Sequence, residues 1–428
     1  MFDIAGPAMI ANLTTPLIGI VSTTAIGRLG EAAMLGGVAM ASVIFDCLFW
    51  LFGFLRASTL AFTAQSLGAG ETDEILMVLV RGLVLAALIG VSLIALQLPL
   101  GAIIFDIMGG SDAVLSAARS YFIVRIWSAP LALANYVLLG WLVGLARARL
   151  ALGVQVAINL INMAATILFV QVLQAGIAGA AIAAVIAETV GVAIGLVLAR
   201  RLVKADARMS RAALLDRAKL MHMMAVNRDI MIRTAAMIVA FLFFTSQGAR
   251  AGDTTLAANA VLNNFLLVAA FFLDGLANAA EQLCGYAFGA RNKDAFAGAT
   301  RLVLTWGFGF ALAVAAIFAL FGPVLIDVMT ASDAVRRAAR DYLPFVVASP
   351  LLSVFAFAFD GVYIGATWAR DMRNLMVAAL VVFLGTWLAL RGFGNTGLWI
   401  AMLSFYAARG GFQAARYPAL LRASFGKS

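Results

Sequence analysis

The stretch Phe105-Asp-Ile-Met-Gly-Gly-Ser-Asp-Ala-Val-Leu-Ser-Ala-Ala-Arg-Ser-Tyr121 returns later in the chain as Ile326-Asp-Val-Met-Thr-Ala-Ser-Asp-Ala-Val-Arg-Arg-Ala-Ala-Arg-Asp-Tyr342. Ten of the 17 positions are identical, and Phe105 aligns with Ile326 at an offset of 221 residues. The same offset carries Gly68-Ala69 onto Gly289-Ala290, Gly140 onto Gly361 and Gly144 onto Gly365. One register kept over so long a stretch is the mark of a duplicated unit. It divides the 428 residues into two halves of one design.

The composition says what solvent those halves face. Hydrophobic residues make up 64% of the chain and charged residues 12%, with a mean hydropathy of +1.01. Soluble domains carry about 25% charged residues, and a soluble fold of this size lacks the interior to hide so much apolar side chain. Lipid can take it. A soluble helical solenoid would need a polar outer face on every repeat, and none is visible.

A bilayer core asks for about 20 apolar residues per helix. Apolar runs read against Gly, Pro and charged punctuation give about twelve spans, near 4–26, 35–66, 76–106, 118–145, 151–173, 178–200, 229–249, 256–287, 299–329, 340–366, 374–391 and 396–411. The expected fold class is therefore an all-α polytopic membrane protein, with two pseudo-symmetric six-helix lobes at 1–200 and 229–428 and a basic cytoplasmic linker at 201–228. Six spans precede the linker and six follow it, so the lobes have the same orientation. Parallel repeats of this kind place a substrate path between them.

The net charge of +9 is placed by the same pattern. Arg200, Arg201, Lys204, Arg208, Arg211, Arg217 and Lys219 fall in the linker, with further basic residues in loops on the same side. That is the footprint of the positive-inside rule and puts both termini in the cytoplasm. Basic residues interleaved with exposed aromatics on a folded domain, which nucleic acid would require, are missing. Cys47 and Cys284 lie in apolar runs and form neither a disulfide pair nor a metal motif. The chain enters its first apolar segment at once, so that helix is expected to act as its own insertion signal.

Several motifs together resemble a known family. They are Gly19-Ile-Val-Ser-Thr-Thr-Ala-Ile-Gly-Arg-Leu29, Phe52-Gly-Phe-Leu-Arg-Ala-Ser58, Thr63-Ala-Gln-Ser-Leu-Gly68, Asn227-Arg-Asp-Ile-Met-Ile-Arg233, Leu273-Asp-Gly-Leu-Ala277 with Glu281, and Phe359-Asp-Gly-Val-Tyr-Ile-Gly-Ala-Thr367. They are similar to the multidrug and toxic compound extrusion (MATE) transporters, in the DinF-like branch. The resemblance covers nearly the whole chain. It implies two six-helix lobes forming a V-shaped cleft, and export of amphipathic, often cationic, compounds in exchange for protons or sodium.

Two departures accompany the resemblance. The family's first-span motif carries an aspartate, its proposed proton or cation site, where this chain has Ser22. The family's fifth span places an aspartate seven residues after its first asparagine; here Asn159 and Asn162 are kept and the aspartate position is Thr166. A hydroxyl does not titrate in the physiological range, so the usual N-lobe proton site is absent and coupling is expected elsewhere.

Ionisable groups inside a span cost about 2.5–3.5 kcal/mol each on insertion scales, so each needs a reason. Asp46 reads either as a relocated proton carrier or as an aspartate near the outer interface. Asp274 and Glu281 are seven residues apart on one helix face, about 10 Å axially. With Asp360 they would make an acidic C-lobe surface for a cationic drug or a coupling ion; alternatively each only fixes helix packing. Glu188 is the last acid inside the N-lobe, either a proton site or a hydrogen-bonding partner of Asn159 or Asn162. Arg56 is deep for a cation, and a pair with Glu281 across the lobe interface would form a gate. Pro16 interrupts the first helix as a hinge or a static kink. His222, the single histidine, reads as a solvated linker residue.

One histidine and no acid pair with metal-ligand spacing leave enzyme chemistry nothing to work with. The expected function is a secondary antiporter in the cell inner membrane, monomeric, without cofactor or metal, coupled to H+ or Na+. Two rivals stand beside it: a lipid-linked precursor flippase or polysaccharide exporter of the same superfamily, and a degenerate, non-transporting membrane scaffold.

Overall fold

The structure is a computed structural model. It describes residues 1–27, 32–109, 111–203 and 210–426, apart from the side chains at 11–17, 20, 23, 27 and 32. The described residues are helical throughout, with short connections. They cluster into two units, Gly6–Met221 and His222–Ser428, the second also taking in Met1–Ala5.

The first unit runs α1 (Phe2–Gly27, from Gly6), α2 (Ala32–Leu51), α3 (Phe54–Gly68), α4 (Thr72–Ala95), α5 (Gln97–Met108), α6 (Asp112–Arg125), α7 (Ala129–Gly144), α8 (Ala148–Ile167) and α9 (Gly176–Leu202). A short helix, α10 (Arg211–Leu214), follows. Helix α11 (Arg217–Arg250) leads into the second unit, which continues with α12 (Asp253–Gly289), α13 (Lys293–Met329), α14 (Asp333–Gly365), α15 (Ala369–Leu390) and α16 (Gly394–Phe425).

Among the described residues, ten helical stretches are long and apolar enough to cross a membrane. One of them, Ala369–Phe425, holds both α15 and α16, and α1 lies outside the ten. Counted with α15 and α16 apart, these stretches supply eleven crossings among the described residues. The exposed side chains suit lipid: Ile107 and its repeat counterpart Val328 are 78% and 80% exposed. Water would penalise such a belt, whereas hydrocarbon does not.

Several expected spans differ in detail. The second divides at Phe52-Gly53 into α2 and α3, and the third at Leu96 into α4 and α5. The seventh starts at Arg217 rather than near 229, so much of the basic linker is helix, and His222 sits exposed on it. A further basic piece is docked rather than loose. Arg81, buried on α4, donates to the carbonyls of Ala213 and Leu214 on α10, the latter at 3.2 Å, and pairs with Glu74 at 2.6 Å.

The repeat read from sequence is repeated in geometry. Ser111 caps α6 by accepting from the Val114 amide at 3.4 Å, and Ser332 caps α14 by accepting from the Val335 amide at 3.5 Å. The left-handed turn residues Ala146 (φ 59°) and Thr367 (φ 55°) occupy equivalent positions, as do Gly70 (φ 74°) and Arg291 (φ 54°). A Cβ on Gly140 would strike the carbonyl of Arg56, and one on Gly361 the carbonyl of Ala277, the matching residue 221 positions on. Gly144 meets Leu60 and Gly365 meets Glu281 in the same way. Small residues thus bring α3 against α7, and α12 against α14, at backbone contact, the usual device where lipid supplies no hydrophobic drive between helices.

The core of the second unit gathers Phe244, Phe265, Phe383, Trp399 and Phe405, with Phe244 edge-on to Trp399 at 5.0 Å. It contains one amide knot. Asn259 and Asn395 exchange two hydrogen bonds at 2.8 and 3.0 Å, and the Trp399 indole donates to Asn259 Oδ1 at 3.0 Å. All three are buried. Asn259→Leu should therefore strand the Asn395 amide and the Trp399 N–H, at about 1–3 kcal/mol for each. Thermal unfolding of the detergent-solubilised protein measures this. An unchanged midpoint would mean that the knot is not holding α12 to α16.

Candidate functional site: an ion cluster in each lobe

In the N-terminal lobe the polar residues gather around Arg125, at the end of α6. Its Nη1 donates to Ser128 Oγ at 2.6 Å, and its Nη2 lies 3.9 Å from Glu188 Oε1 on α9. The guanidinium is 5.7 Å from the rings of both Phe45 and Phe49 on α2. Asp46, exposed between those phenylalanines, is within electrostatic range of Arg125. Asn135 on α7, 2% exposed, donates from Nδ2 to Glu188 Oε2 at 2.7 Å and to the Glu188 carbonyl at 2.9 Å. The partners found for Glu188 are thus Asn135 and Arg125, in place of the expected Asn159 or Asn162.

Asn159, Asn162 and Thr166 fall at i, i+3 and i+7 on one buried face of α8. Gln155 donates to Asn159 Oδ1 at 3.0 Å, and Thr166 Oγ1 donates to Asn162 Oδ1 at 3.5 Å. The helix then widens into a π turn over Leu168–Val172, whose Gln171 donates to the Ala25 carbonyl on α1 at 3.3 Å. Single π turns are frequent at functional sites. Ser22 is half-buried on α1, and Arg56 half-buried on α3. The side chain of Pro16 lies outside the described residues.

In the C-terminal lobe Asp360 on α14 is the centre. Its Oδ2 accepts from Arg233 on α11 and from Arg409 Nη2 on α16 at 2.8 Å; its Oδ1 accepts from Gln413 Nε2 at 2.7 Å. Arg409 is 1% exposed, with its guanidinium 5.4 Å from the Phe405 ring. Glu281 is buried and Asp274 half-buried, both on α12. The expected acidic surface is therefore a buried interior in which Asp360 already holds two cations. The physical reason is desolvation: a carboxylate inside a helix bundle is tolerable only when paired and hydrogen-bonded. A second ion group ties α11 to α15, where buried Asp229 accepts from Arg373 Nη1 at 2.7 Å and from Arg228 Nη2 at 3.1 Å.

Reading the sequence for acids missed the cations and amides that complete both clusters: Arg125 and Asn135 in one lobe, Arg233, Arg409 and Gln413 in the other. Arg125 and Arg409 were open to detection, being cations inside apolar runs. Among the described residues, no three of His, Cys, Asp and Glu are placed to hold a metal ion.

Residues 7–168 and 230–388 match the MatE family, one match in each lobe. The chain belongs to the MatE family. This MatE protein is 37% identical over 413 residues to "DNA damage-inducible protein F" of Escherichia coli, covering 96% of this chain and 90% of that one. It is 26% identical over 426 residues to "Probable multidrug resistance protein NorM" of Caulobacter vibrioides, covering 95% and 89%. Its fold matches that of a MOP superfamily transporter from Pyrococcus furiosus with a TM-score of 0.87 at 21% identity, covering 100% of this chain and 96% of that one. The MatE protein is thus a multi-pass membrane protein of a transporter family, and the MATE resemblance read from its motifs holds.

Proposed function

We propose that this protein is a secondary active exporter of amphipathic or cationic compounds, working by alternating access and driven by a proton or sodium gradient. The observation that carries the reading is the pair of ion clusters, one per lobe, half-buried in the N-terminal lobe and buried in the C-terminal lobe, inside helical stretches of lipid-crossing length. Charges in such places are costly and mark ion or substrate pathways far more often than scaffolds. The name of the Caulobacter relative supports a drug-like cargo. The basic residues at Arg200, Arg201, Arg211, Arg217 and Lys219 support an inner-membrane protein with cytoplasmic termini.

Purified protein in liposomes, with a fluorescent lipophilic cation such as ethidium as cargo, tests the proposal. Proton and sodium gradients are imposed separately. Cargo accumulation under one of them is expected. No movement above empty liposomes under either gradient would overturn the exporter reading in favour of a non-transporting membrane protein.

A further inference from the structure

Arg125 stands between two carboxylates carried by different helices, Glu188 on α9 at 3.9 Å and Asp46 on α2 within electrostatic range. Two carboxylates against one guanidinium leave the group one negative charge in excess. Arg125 cannot redress this by moving. It is tethered to Ser128 Oγ at 2.6 Å and held against Phe45 and Phe49. Its contact with Glu188 stays long, while a well-formed guanidinium–carboxylate pair closes to about 2.7–2.9 Å.

Glu188 is also short of donors. Asn135 Nδ2 is its close hydrogen-bond donor, at 2.7 Å, and the same amide group is shared with the Glu188 carbonyl. The other end of that amide, Oδ1 of a residue 2% exposed, has no hydrogen-bond partner. Carboxylate oxygens and an orphaned amide oxygen thus lie together in a half-buried place, where an added proton would supply the missing donor. The other ionisable groups around the cluster are Tyr121 on α6, Tyr136 on α7, and Cys47 beside Asp46. Arg56 on α3 acts on Tyr136. Phenols and thiols ordinarily keep their protons, and guanidinium groups theirs, at physiological pH. The two carboxylates remain as the groups able to exchange one.

We propose that Glu188 is the carboxylate that binds and releases the coupling proton in the N-terminal lobe, with Arg125 as its fixed counter-ion and exposed Asp46 as the competing acid. This rests on the cation-driven exporter reading and names its ion and its site. A hydronium ion gives its proton to a Glu188 oxygen and leaves as water; one O–H bond forms as another breaks. The cluster passes from one excess negative charge to none. Neutral Glu188 loosens its hold on Arg125, and Asp46 then has the guanidinium to itself. The proton therefore decides whether α6 is drawn electrostatically toward α9 or α2. Ser22 and Thr166, the hydroxyls at the family's acidic positions, are left as neutral hydrogen-bonding residues.

Infrared difference spectroscopy of the purified full chain in lipid vesicles tests the site without cargo or gradient. Stepping the buffer from mildly alkaline to mildly acidic should raise a carboxylic-acid C=O band, which shifts in heavy water. The band should vanish in Glu188→Gln and persist in Asp46→Asn and in Ser22→Ala. Glu188→Asp, which keeps an acid in place, should retain a displaced band even if Glu188→Gln folds poorly. Persistence of the band in a folded Glu188→Gln, or its loss in Asp46→Asn, would overturn the assignment. Either result leaves the export assay untouched, so failure of the site and failure of the transport reading are told apart.

Discussion

Replacing Asp360 by asparagine should destabilise the C-terminal lobe by about 3–5 kcal/mol, the range found when one partner of a buried ion pair is removed. Asp360 is 4% exposed, and its two oxygens take donors from Arg233, Arg409 and Gln413. Without the carboxylate, two guanidinium groups face each other inside the lobe with no anion between them. Arg409→Gln on top of Asp360→Asn should restore part of the loss, because it removes one of the stranded cations. Thermal unfolding of the three variants in one detergent reads the difference. If the single variant melts with the parent, water reaches the two arginines and the cluster is not the buried lock described.

The second large effect belongs to the glycine seams. A Cβ at Gly361 would lie 2.8 Å from the Ala280 methyl and closer still to the Ala277 carbonyl, and backbone cannot swing aside as a side chain does. Gly361→Leu should cost at least the 1–3 kcal/mol of ordinary overpacking, roughly at its upper end, by prising α14 from α12. Gly140→Leu should do the same to α7 and α3 in the other lobe, where the Arg56 carbonyl is in the way. Gly309→Ala is the control, since nothing lies within 4 Å of its Cβ position. Purified yield and unfolding temperature should separate the two seam variants from the control. A Gly361→Leu protein as stable as Gly309→Ala would mean that the close approach is not needed.

The lobes and crossings were legible because lipid imposes a length on every helix and the duplication repeats each signal. Turn positions carried over as well: Ala146 and Thr367 share one left-handed geometry although neither is glycine. Helix ends were less legible. Arg217, Lys219 and His222 interrupt the apolar residues of Arg217–Val226, so α11 begins well before an unbroken bilayer-length run does. The acids of both clusters stood out, since a carboxylate in an apolar run is conspicuous. Their partners did not. Asn135 is 53 residues from Glu188, Arg409 is 49 from Asp360 and Arg233 is 127 from it, distances at which linear spacing carries no signal. Asp360 shows the difference: the acid was visible, and the two cations paired with it were not.

The seam has a consequence for how the chain is made. Helix α3 leaves the ribosome before α7 exists, and the 84 residues from Arg56 to Gly140 take roughly 4–17 s to synthesise at about 5–20 residues per second. Ala277 waits through the same 84 residues for Gly361. During each interval the side of the earlier helix destined for its partner is already in the membrane, with a half-buried arginine on α3 and a buried glutamate on α12 among its residues. Those charges need temporary cover from lipid headgroups, water or the insertion machinery. The chain is therefore exposed to misassembly twice in a single passage through the translocon, once in each lobe, at the same point of the duplicated sequence.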